Sequence, residues 1–160
     1  MKIAVFSDSH GQSRAMLRAI RASQPDVILH LGDYCRDTAP LEREFSDIPL
    51  YAVRGNGDLG SREEATLFLT LGGTRFFLTH GHLYGVKSGL SALIEAARER
   101  GADAVLFGHT HKSYMDYHRG MYVINPGATG SYGVHSWAEL DVNEKEPGAL
   151  VCTHRLFEDS

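Results

Sequence analysis

The sequence predicts an α/β fold with α+β character, in which two mixed β-sheets pack face to face and helices cover their outer faces. Two observations lead to this prediction. In the first third of the chain, short apolar runs alternate with amphipathic helical segments, which is typical of parallel strands joined by helices. Later, strand-like runs predominate and one pair is joined by a Gly-Gly turn, which indicates antiparallel pairing. Two mixed sheets in a single domain, residues 1–160, accommodate both patterns.

The first half of the chain alternates strands with helices. Three short apolar runs have the length of buried strands, at residues 2–6, 27–31 and 50–53. Between the first two, residues 13–23 place Met16, Leu17 and Ile20 on one face of a predicted helix. A shorter helix is predicted at residues 40–45, before the third strand. Because strands separated by helices pair in parallel, parallel pairing is expected in this half.

The second half is mostly strand. A hairpin is predicted from residues 66–71 and 74–79, because the Gly-Gly pair between them suits a tight turn with positive φ. A helix is predicted at residues 88–100, and Gly101 suits its left-handed C-terminal cap. Its apolar face, at i, i+3, i+4 and i+7, consists of Leu90, Leu93, Ile94 and Ala97. The remaining predicted strands, antiparallel-looking after the first, are residues 104–107, 114–118, 121–124, 136–142 and 149–154.

Length and composition fit one cytoplasmic domain. The chain has 160 residues, 42% of them hydrophobic and 22% charged, which is enough for a sizeable core without disulfides. Cys35 and Cys152 are isolated and are expected to stay reduced. No apolar run approaches the roughly 20 residues of a membrane span, and the first strand reaches Asp8 too soon for a signal peptide. A net charge of -4 without a basic run gives no evident nucleic-acid footprint, and a homo-oligomer stays open.

Five predicted strands run directly into residues that bind metal ions. These residues are Asp8 and His10 after the first strand, then Asp33, Asn56 and His80, and finally His109 and His111. In open α/β sheets, ligands bind beyond the carboxyl ends of the strands, so these side chains are expected to converge on one crevice. An Asp-x-His or His-x-His step also places both side chains on one face of an extended backbone. Glycines beside the ligands permit sharp turns and close approach, at Gly11, Gly32, Gly55, Gly81 and Gly108.

The ligand types predict a pair of divalent cations. Aspartate, asparagine and histidine without thiolate suit Mn²⁺, Fe²⁺, Zn²⁺ or Co²⁺, and they differ from the cysteine ligands of a structural zinc site. Two ions about 3.5–4 Å apart need a ligand that faces both, and the carboxylate of Asp33 is the candidate. Such a pair lowers the pKa of a bound water, aligns the hydroxide with phosphorus and neutralises phosphoryl charge. The expected chemistry is therefore the hydrolysis of phosphate esters by a metal-activated hydroxide.

Taken in order, these residues resemble the calcineurin-like metallophosphoesterases, and more closely the small single-domain bacterial and archaeal phosphodiesterases of that superfamily. The likeness spans residues 1–130 and is carried by Asp8-x-His10, Gly32-Asp33, Gly55-Asn56-x-Asp58, His80-Gly81-His82, Gly108-His109-x-His111 and Asn125-Pro126-Gly127. It implies a four-layer αββα sandwich. It also implies one ion held by Asp8, His10, Asp33 and His111, and another held by Asp33, Asn56, His80 and His109. Mn²⁺ is the expected metal, with Fe, Zn, Co or Ni as alternatives.

The catalytic candidates are Asn56 and His82. Many relatives carry a histidine directly after the motif asparagine, where it stabilises or protonates the leaving group, but this chain has Gly57. His82, two residues after His80, is the nearest candidate by sequence for the general acid, and a metal-bound water is the alternative. Asp58 is expected to orient Asn56 or a ligand histidine.

The same residues also allow other interpretations. Residues 55–60 fit the dinucleotide pattern Gly-x-Gly-x-x-Gly, but no acidic residue lies near position 75 and a hairpin follows instead of a helix. His30 is predicted to be a hydrogen-bonded core histidine, and Asp37 a solvated or helix-start acid. Surface or packing roles are expected for the isolated His118, His135 and His154. Residues 131–137, which include Tyr132, His135 and Trp137, could close over a substrate or pack a dimer.

The sequence therefore predicts a metal-dependent phosphodiesterase that acts on a small phosphoester. Diesters are favoured over monoesters by the resemblance and by Gly57, because an enzyme with a weak general acid favours good leaving groups. A dinucleoside polyphosphate hydrolase and a 2′,3′-cyclic nucleotide phosphodiesterase stay open within this class. The alternative from another class is a catalytically weak protein-binding scaffold, since one eukaryotic relative, a subunit of an endosomal coat, acts chiefly through its surface.

Overall fold

Two mixed sheets and three α-helices make up the fold in the computed structural model, which describes residues 1–130 and 133–157. The α-helices are α1 (Ser13–Ser23), α2 (Ala39–Glu44) and α3 (Ser91–Glu99). Two 3-10 turns lie at Cys35–Thr38 and His82–Tyr84. Among the described residues, no helix combines the length and apolar character that crossing a bilayer requires.

The first sheet joins the two ends of the chain. In spatial order it contains β10 (Leu150–Leu156), β9 (Ser136–Val142), β1 (Lys2–Phe6), β2 (Val27–His30) and β3 (Leu50–Ala52). The strands β1, β2 and β3 are parallel, as their alternation with helices predicts. The strand β9 runs antiparallel to β1, and β10 runs antiparallel to β9.

The second sheet is built from the middle of the chain. In spatial order it contains β4 (Thr66–Leu71), β5 (Thr74–Thr79), β6 (Ala104–Leu106), β8 (Met121–Asn125) and β7 (Tyr114–His118). The predicted Gly-Gly hairpin is present as β4 and β5. The strands β5, β6 and β8 are parallel, and β7 is antiparallel to β8. The strands predicted as one antiparallel series therefore form two hairpins, one in each sheet.

The core has three apolar layers, and together they confirm the αββα sandwich. On β1, Ile3 and Val5 face the layer between the sheets, whereas Ala4 and Phe6 face the opposite side. This alternation is the two-residue period of a strand that is buried on both faces. Residues of α1 and α2 cover the outer face of the first sheet, and residues of α3 cover that of the second.

The helix α3 begins later than the sequence predicts. Its first residue is Ser91, not Ser88, because Gly89 has φ = 150° and cannot continue a right-handed helix. Its apolar face is as predicted, with Leu93 and Ala97 buried. Gly101 has φ = 71°, the left-handed conformation expected of a residue that ends a helix.

Candidate metal centre

The proposed ligands converge at the carboxyl ends of parallel strands in both sheets. Ligand atoms of Asp8, His10 and His111 lie within 4.8 Å of one another, and so do ligand atoms of Asp8, Asp33 and His80. Asp8 and Asp33 follow strands of the first sheet, whereas His80 and His111 follow strands of the second. The site therefore lies where the two sheets meet.

Carboxylates and imidazoles face one another across this site. His111 Nε2 lies 3.1 Å from Asp8 Oδ1, and His80 Nε2 lies 3.8 Å from the same oxygen. His80 Nε2 is also 3.5 Å from Asp33 Oδ2 and 3.2 Å from His109 Nδ1. The His10 ring centroid is 5.4 Å from that of His111. Six of the seven predicted ligands are thus placed within reach of a neighbour in the set.

Asn56, the seventh predicted ligand, is exposed on the loop after β3. The next residue in this loop, Gly57, donates its backbone N–H to Asp33 Oδ1 at 2.8 Å. Asn56 therefore lies next to a residue that contacts Asp33, at the open side of the site.

Two buried polar atoms test whether the site suits a cation. Within the described residues, Asp8 Oδ1 and His10 Nε2 are buried and take part in no hydrogen bond. An unpartnered buried polar atom costs about 1–3 kcal/mol, and more when it is charged. A divalent cation between these atoms would satisfy both, so the residues fit a metal ion.

Backbone strain is concentrated in the ligand segments. Five predicted ligands have left-handed φ angles: Asp8 at 52°, His10 at 46°, Asp33 at 59°, His109 at 69° and His111 at 63°. Each such residue costs about 1 kcal/mol or more, and non-glycine residues in this region cluster at functional sites. The strain is invisible in the sequence, because only the folded loops impose it.

Gly55 and Gly108 let these segments approach one another, as predicted. A Cβ at Gly108 would overlap Ser7 Oγ and lie 2.8 Å from Asp8 Oδ2. A Cβ at Gly55 would overlap Asp33 Oδ1 and lie 2.6 Å from the Asp33 nitrogen. Any larger residue at either position would displace a proposed ligand.

His80 is oriented by a backbone carbonyl. Its Nδ1 lies 2.8 Å from the Leu31 oxygen and donates to it, which leaves Nε2 facing the carboxylates. Burial opposes protonation of His80, but the hydrogen bond to Asp33 and the charges of Asp8 and Asp33 outweigh burial and raise its pKa. For Asp33, burial raises the pKa, but the interactions with His80 and the Gly57 N–H outweigh it and hold the pKa below its usual range.

Asp58 supports the Asp33 loop through the backbone. Its carboxylate accepts hydrogen bonds from the N–H groups of Asp33 at 2.7 Å, Gly55 at 2.8 Å and Cys35 at 2.9 Å. Burial alone would raise its pKa, but these donors outweigh burial and lower it. Among the described residues Asp58 makes no hydrogen bond to Asn56 or to a histidine, so it acts on the backbone of the Asp33 and Gly55 segments instead of orienting those side chains as predicted.

A buried chain of hydrogen bonds connects the first two ligand loops. The Gly32 N–H donates to His30 Nδ1 at 3.2 Å, so His30 Nε2 carries the proton and donates to Ser9 Oγ at 2.9 Å. Ser9 Oγ donates to Asp37 Oδ2 at 2.7 Å, and the Gly11 N–H donates to the same oxygen at 2.8 Å. We call Ser9, His30 and Asp37 the buried relay.

The buried relay confirms the prediction for His30 and one of the two alternatives predicted for Asp37. His30 is a hydrogen-bonded core histidine as predicted, and burial lowers its pKa to about 4. Asp37 lies in the first turn of the 3-10 helix at Cys35–Thr38, as a helix-start acid does, but it is not solvated, because it is buried and accepts from Ser9 and Gly11. No short motif joins positions 9, 30 and 37, so only the fold reveals this contact.

Asn125 holds the loop of His109 and His111. Its Nδ2 donates to the Gly108 oxygen at 3.1 Å and to Thr110 Oγ1 at 3.0 Å. His154 Nε2 in turn lies 2.7 Å from the backbone carbonyl oxygen of Asn125 and donates to it, so His154 has a packing role as predicted. The Asn-Pro-Gly motif was the sequence signal for this support.

His82 lies beside the centre without a fixed partner. Its ring centroid is 5.5 Å from that of His80 and 6.2 Å from that of His109. Its Nδ1 is buried and makes no hydrogen bond within the described residues. Burial, and then the charge of His80, lower its pKa, which favours the neutral ring.

Two clefts are lined by residues of the ligand loops, and they differ in charge. The first, about 720 Å³, contains Asp33 at one end together with Glu42, Asp58 and Glu63, and we call it the acidic cleft. The second, about 500 Å³, is lined by Lys87 and Lys112 together with Val86, Leu90, Phe107, Thr110, Ser113 and Tyr114, and we call it the lysine cleft. The acidic cleft follows strands of the first sheet, and the lysine cleft follows strands of the second.

Trp137, one of the residues expected to close over a substrate or pack a dimer, lies in the core instead. Trp137 is buried in β9 and stacks on Phe6 with ring centroids 5.4 Å apart, so it belongs to the core. The proposed roles of Ser131 and Tyr132 fall outside the described residues.

Comparisons with known proteins agree with this geometry. Residues 1–145 match the model of the calcineurin-like phosphoesterase superfamily domain. The chain is 34% identical over 131 residues to the probable metallophosphoesterase YsnB of Bacillus subtilis, covering 80% of this chain and 75% of that one. It is 29% identical over 172 residues to the phosphodiesterase MJ0936 of Methanocaldococcus jannaschii, covering 94% and 99%. A crystal structure of Vps29 from Entamoeba histolytica with Zn²⁺ has the same fold, with a TM-score of 0.78, 23% identity and coverage of 99% and 100%.

Proposed function

Because this chain belongs to the calcineurin-like phosphoesterase superfamily, we propose that it hydrolyses phosphodiesters with two divalent cations. The observation that carries the proposal is the convergence of two carboxylates and four imidazoles from both sheets, with two buried ligand atoms that lack hydrogen bonds. The phosphodiesterase MJ0936, which is similar over almost the whole chain, supports diesters as the substrate class.

The proposed ligand sets are those that the resemblance implies, and they overlap in part with the two groups of side chains, of which the second consists of Asp8, Asp33 and His80. One ion is assigned to Asp8, His10, Asp33 and His111, and the mutual proximity of Asp8, His10 and His111 supports this set. The other is assigned to Asp33, Asn56, His80 and His109, supported by the short distances from His80 to Asp33 and His109. Mn²⁺ is the proposed metal for these oxygen and nitrogen ligands.

The residues of the chain fix the positions at which chemistry would occur. Two bound ions would lower the pKa of a water ligand and neutralise charge on the phosphoryl oxygens. Asp58 holds the loop of Asp33, and Asn125 holds the loop of His109 and His111. These supports keep the proposed ligands in place before a substrate arrives, which reduces reorganisation during the reaction.

His82 is proposed to protonate the leaving group as the imidazolium, a minor form at neutral pH that its lowered pKa makes a stronger acid. Its half-buried ring lies beside His80 and His109, and a weak acid there matters most when the leaving alcohol is a poor one. We expect His82→Ala to slow hydrolysis of a 2′,3′-cyclic nucleotide about 100-fold and to change that of bis-p-nitrophenyl phosphate little. Equal effects on both substrates would remove His82 from this role.

The direct test of the proposed function is turnover after metal exchange. The protein is treated with a chelator, dialysed and assayed with bis-p-nitrophenyl phosphate and p-nitrophenyl phosphate, with and without Mn²⁺. We expect Mn²⁺ to restore activity, and the diester to be hydrolysed with the higher kcat/KM. If Mn²⁺ restores turnover of neither substrate, the proposal that this protein is an enzyme is contradicted.

A protein-binding scaffold is the second candidate. The observation that favours it is the edge strand β7, where Tyr114, Met115 and Tyr117 are 40%, 44% and 57% exposed. An exposed edge strand with large side chains can pair with a partner chain. Protein that retains metal, hydrolyses no phosphate ester and copurifies with a stable partner would favour this function.

A further inference from the structure

The lysine cleft is lined in part by the loop that carries the proposed ligands His109 and His111. Thr110, the residue between His109 and His111, forms part of its wall. Lys112 follows His111 immediately in the chain and lines the same wall. A substrate whose phosphorus lies at the centre would therefore have this cleft next to one of its two ester groups.

The cations of this cleft are unpaired. Within the described residues, no acidic side chain lines the cleft and neither Lys87 nor Lys112 forms a salt bridge. Lys2, by contrast, lies 3.7 Å from Glu139. In a chain with a net charge of -4, two free ammonium groups in one cleft leave a local site for an anion.

The floor of the lysine cleft is apolar. Val86 and Phe107 are 4% and 2% exposed, and Tyr114 stands at the rim. Lys87 and Lys112 are themselves exposed, so they would meet a charged group at the solvent edge, and the apolar floor would contact its organic part. A cationic rim over an apolar floor suits an organic group that carries a negative charge.

The acidic cleft cannot serve such a group equally well. Glu42 and Glu63 would repel a second anion there, whereas bound cations would offset the charge of Asp33, and Arg36 is the one guanidinium among the described lining residues. The two ester groups of a bound diester would therefore lie in regions of opposite electrostatic potential.

We propose that Lys87 and Lys112 bind a second, non-reacting phosphate group of the substrate in the lysine cleft. This inference rests on the proposed function and narrows its substrate class to phosphodiesters that carry an additional phosphate. Lys87 and Lys112 are then specificity-determining residues, because they discriminate between substrates without touching the reacting phosphorus.

A binding experiment tests this without turnover. Adenosine 3′,5′-bisphosphate and adenosine 5′-monophosphate are titrated calorimetrically into Mn²⁺-loaded protein. We expect the bisphosphate to bind about 10-fold tighter or more, since charge-assisted bonds to two lysines contribute over 1 kcal/mol. Lys87→Met and Lys112→Met should each reduce this preference about fivefold, with the monophosphate affinity changed less than about twofold.

Lys145→Met is the matched control, because Lys145 is an exposed lysine in the turn between β9 and β10, and it should leave the preference intact. A wild-type protein without preference, or lysine variants that weaken both ligands equally or neither, would overturn the proposal.

A turnover experiment separates this inference from the proposed function. Thymidine 5′-(p-nitrophenyl phosphate) is compared with the same compound bearing a 3′-phosphate. We expect the 3′-phosphate to lower KM in the wild type, and Lys87→Met and Lys112→Met to abolish that advantage with kcat unchanged. If neither compound is hydrolysed, the proposed function fails, and the calorimetric preference still decides the role of the two lysines.

Discussion

In each carboxylate at the centre, one oxygen accepts hydrogen bonds from neighbouring segments and the other faces the imidazoles. Asp8 Oδ2 accepts from Ser7 Oγ and from the His109 N–H, whereas Oδ1 faces His111. Asp33 Oδ1 accepts from the Gly57 N–H, whereas Oδ2 faces His80. The anchored oxygen fixes the rotamer, so the other oxygen is held in the position that the proposed ligand role requires.

Removal of the Asp33 carboxylate tests its role as the shared ligand. We expect Asp33→Ala to lower kcat/KM at least about 100-fold, because both ions would lose a ligand. Metal analysis should show fewer than two ions per chain. Asp47→Ala is the control, since Asp47 is an exposed acid between α2 and β3. Full metal content and activity in Asp33→Ala would rule out the bridging assignment.

His30 makes the stability of the metal-free protein depend on pH. Burial lowers its pKa to about 4, whereas in the unfolded chain it is near 6.5. Between these values the unfolded chain binds more protons, so the free energy of unfolding falls as the pH drops from 6.5 toward 4. From pH 7 to pH 5 the loss from this group is about 2 kcal/mol.

Urea unfolding in the presence of a chelator measures this contribution. His30→Gln keeps a hydrogen-bonding side chain but has no charge to gain in this range. We expect the wild type to lose about 2 kcal/mol more than the variant between pH 7 and pH 5. Parallel pH profiles for the two proteins would show that His30 does not titrate as described.

At the scale of secondary structure, the strand ends determine where ligands lie and the loops determine how they are held. The hairpin of β4 and β5 and the helix α1 follow from local patterns, and the sequence predicts them correctly. The sequence does not predict the start of α3 correctly, because the φ angle of Gly89 stops the helix there. The sequence does not predict the buried relay either, because its three side chains come from separate loops and strands.

The buried relay is predicted to stabilise the loop that carries Asp8 and His10. Asp37→Ala removes the acceptor of the Ser9 hydroxyl and the Gly11 N–H, whereas Asp37→Asn retains an acceptor oxygen. We expect the alanine variant to weaken Mn²⁺ binding about 10-fold or more, and the asparagine variant to recover most of the loss. Calorimetric titration with Mn²⁺ measures both. Identical affinities in Asp37→Ala and the wild type would contradict this role.

At the scale of the whole molecule, the centre draws ligands from both sheets. The sequence predicts the sandwich because strands that alternate with helices in the first half indicate parallel pairing, whereas successive strands in the second half indicate antiparallel pairing. Two mixed sheets accommodate both. It cannot predict which hairpin joins which sheet, since β7–β8 and β9–β10 have similar local patterns. Their placement depends on long-range pairing with β6 and β1.

Metal binding should therefore stabilise the whole fold. Binding at one site, at a ligand concentration 100 times Kd, contributes about 2.7 kcal/mol, which corresponds to a rise in Tm of about 5–10 °C for a domain of this size. Scanning calorimetry of chelated and Mn²⁺-loaded protein measures the shift. We expect a smaller shift in Asp33→Ala, and an unchanged Tm on saturation with Mn²⁺ would argue against a centre that spans the sheets.

The contact of Asp8 with the loop of His109 joins positions 101 residues apart. A cation coordinated by both segments would act as a reversible cross-link that encloses most of the chain in a ring. In the unfolded ensemble, a ring of that size loses more conformational freedom than a short one, as in the loop-closure treatment of disulfides. The bound cation would then be a cross-link that forms when the metal binds and opens when it dissociates, without redox chemistry.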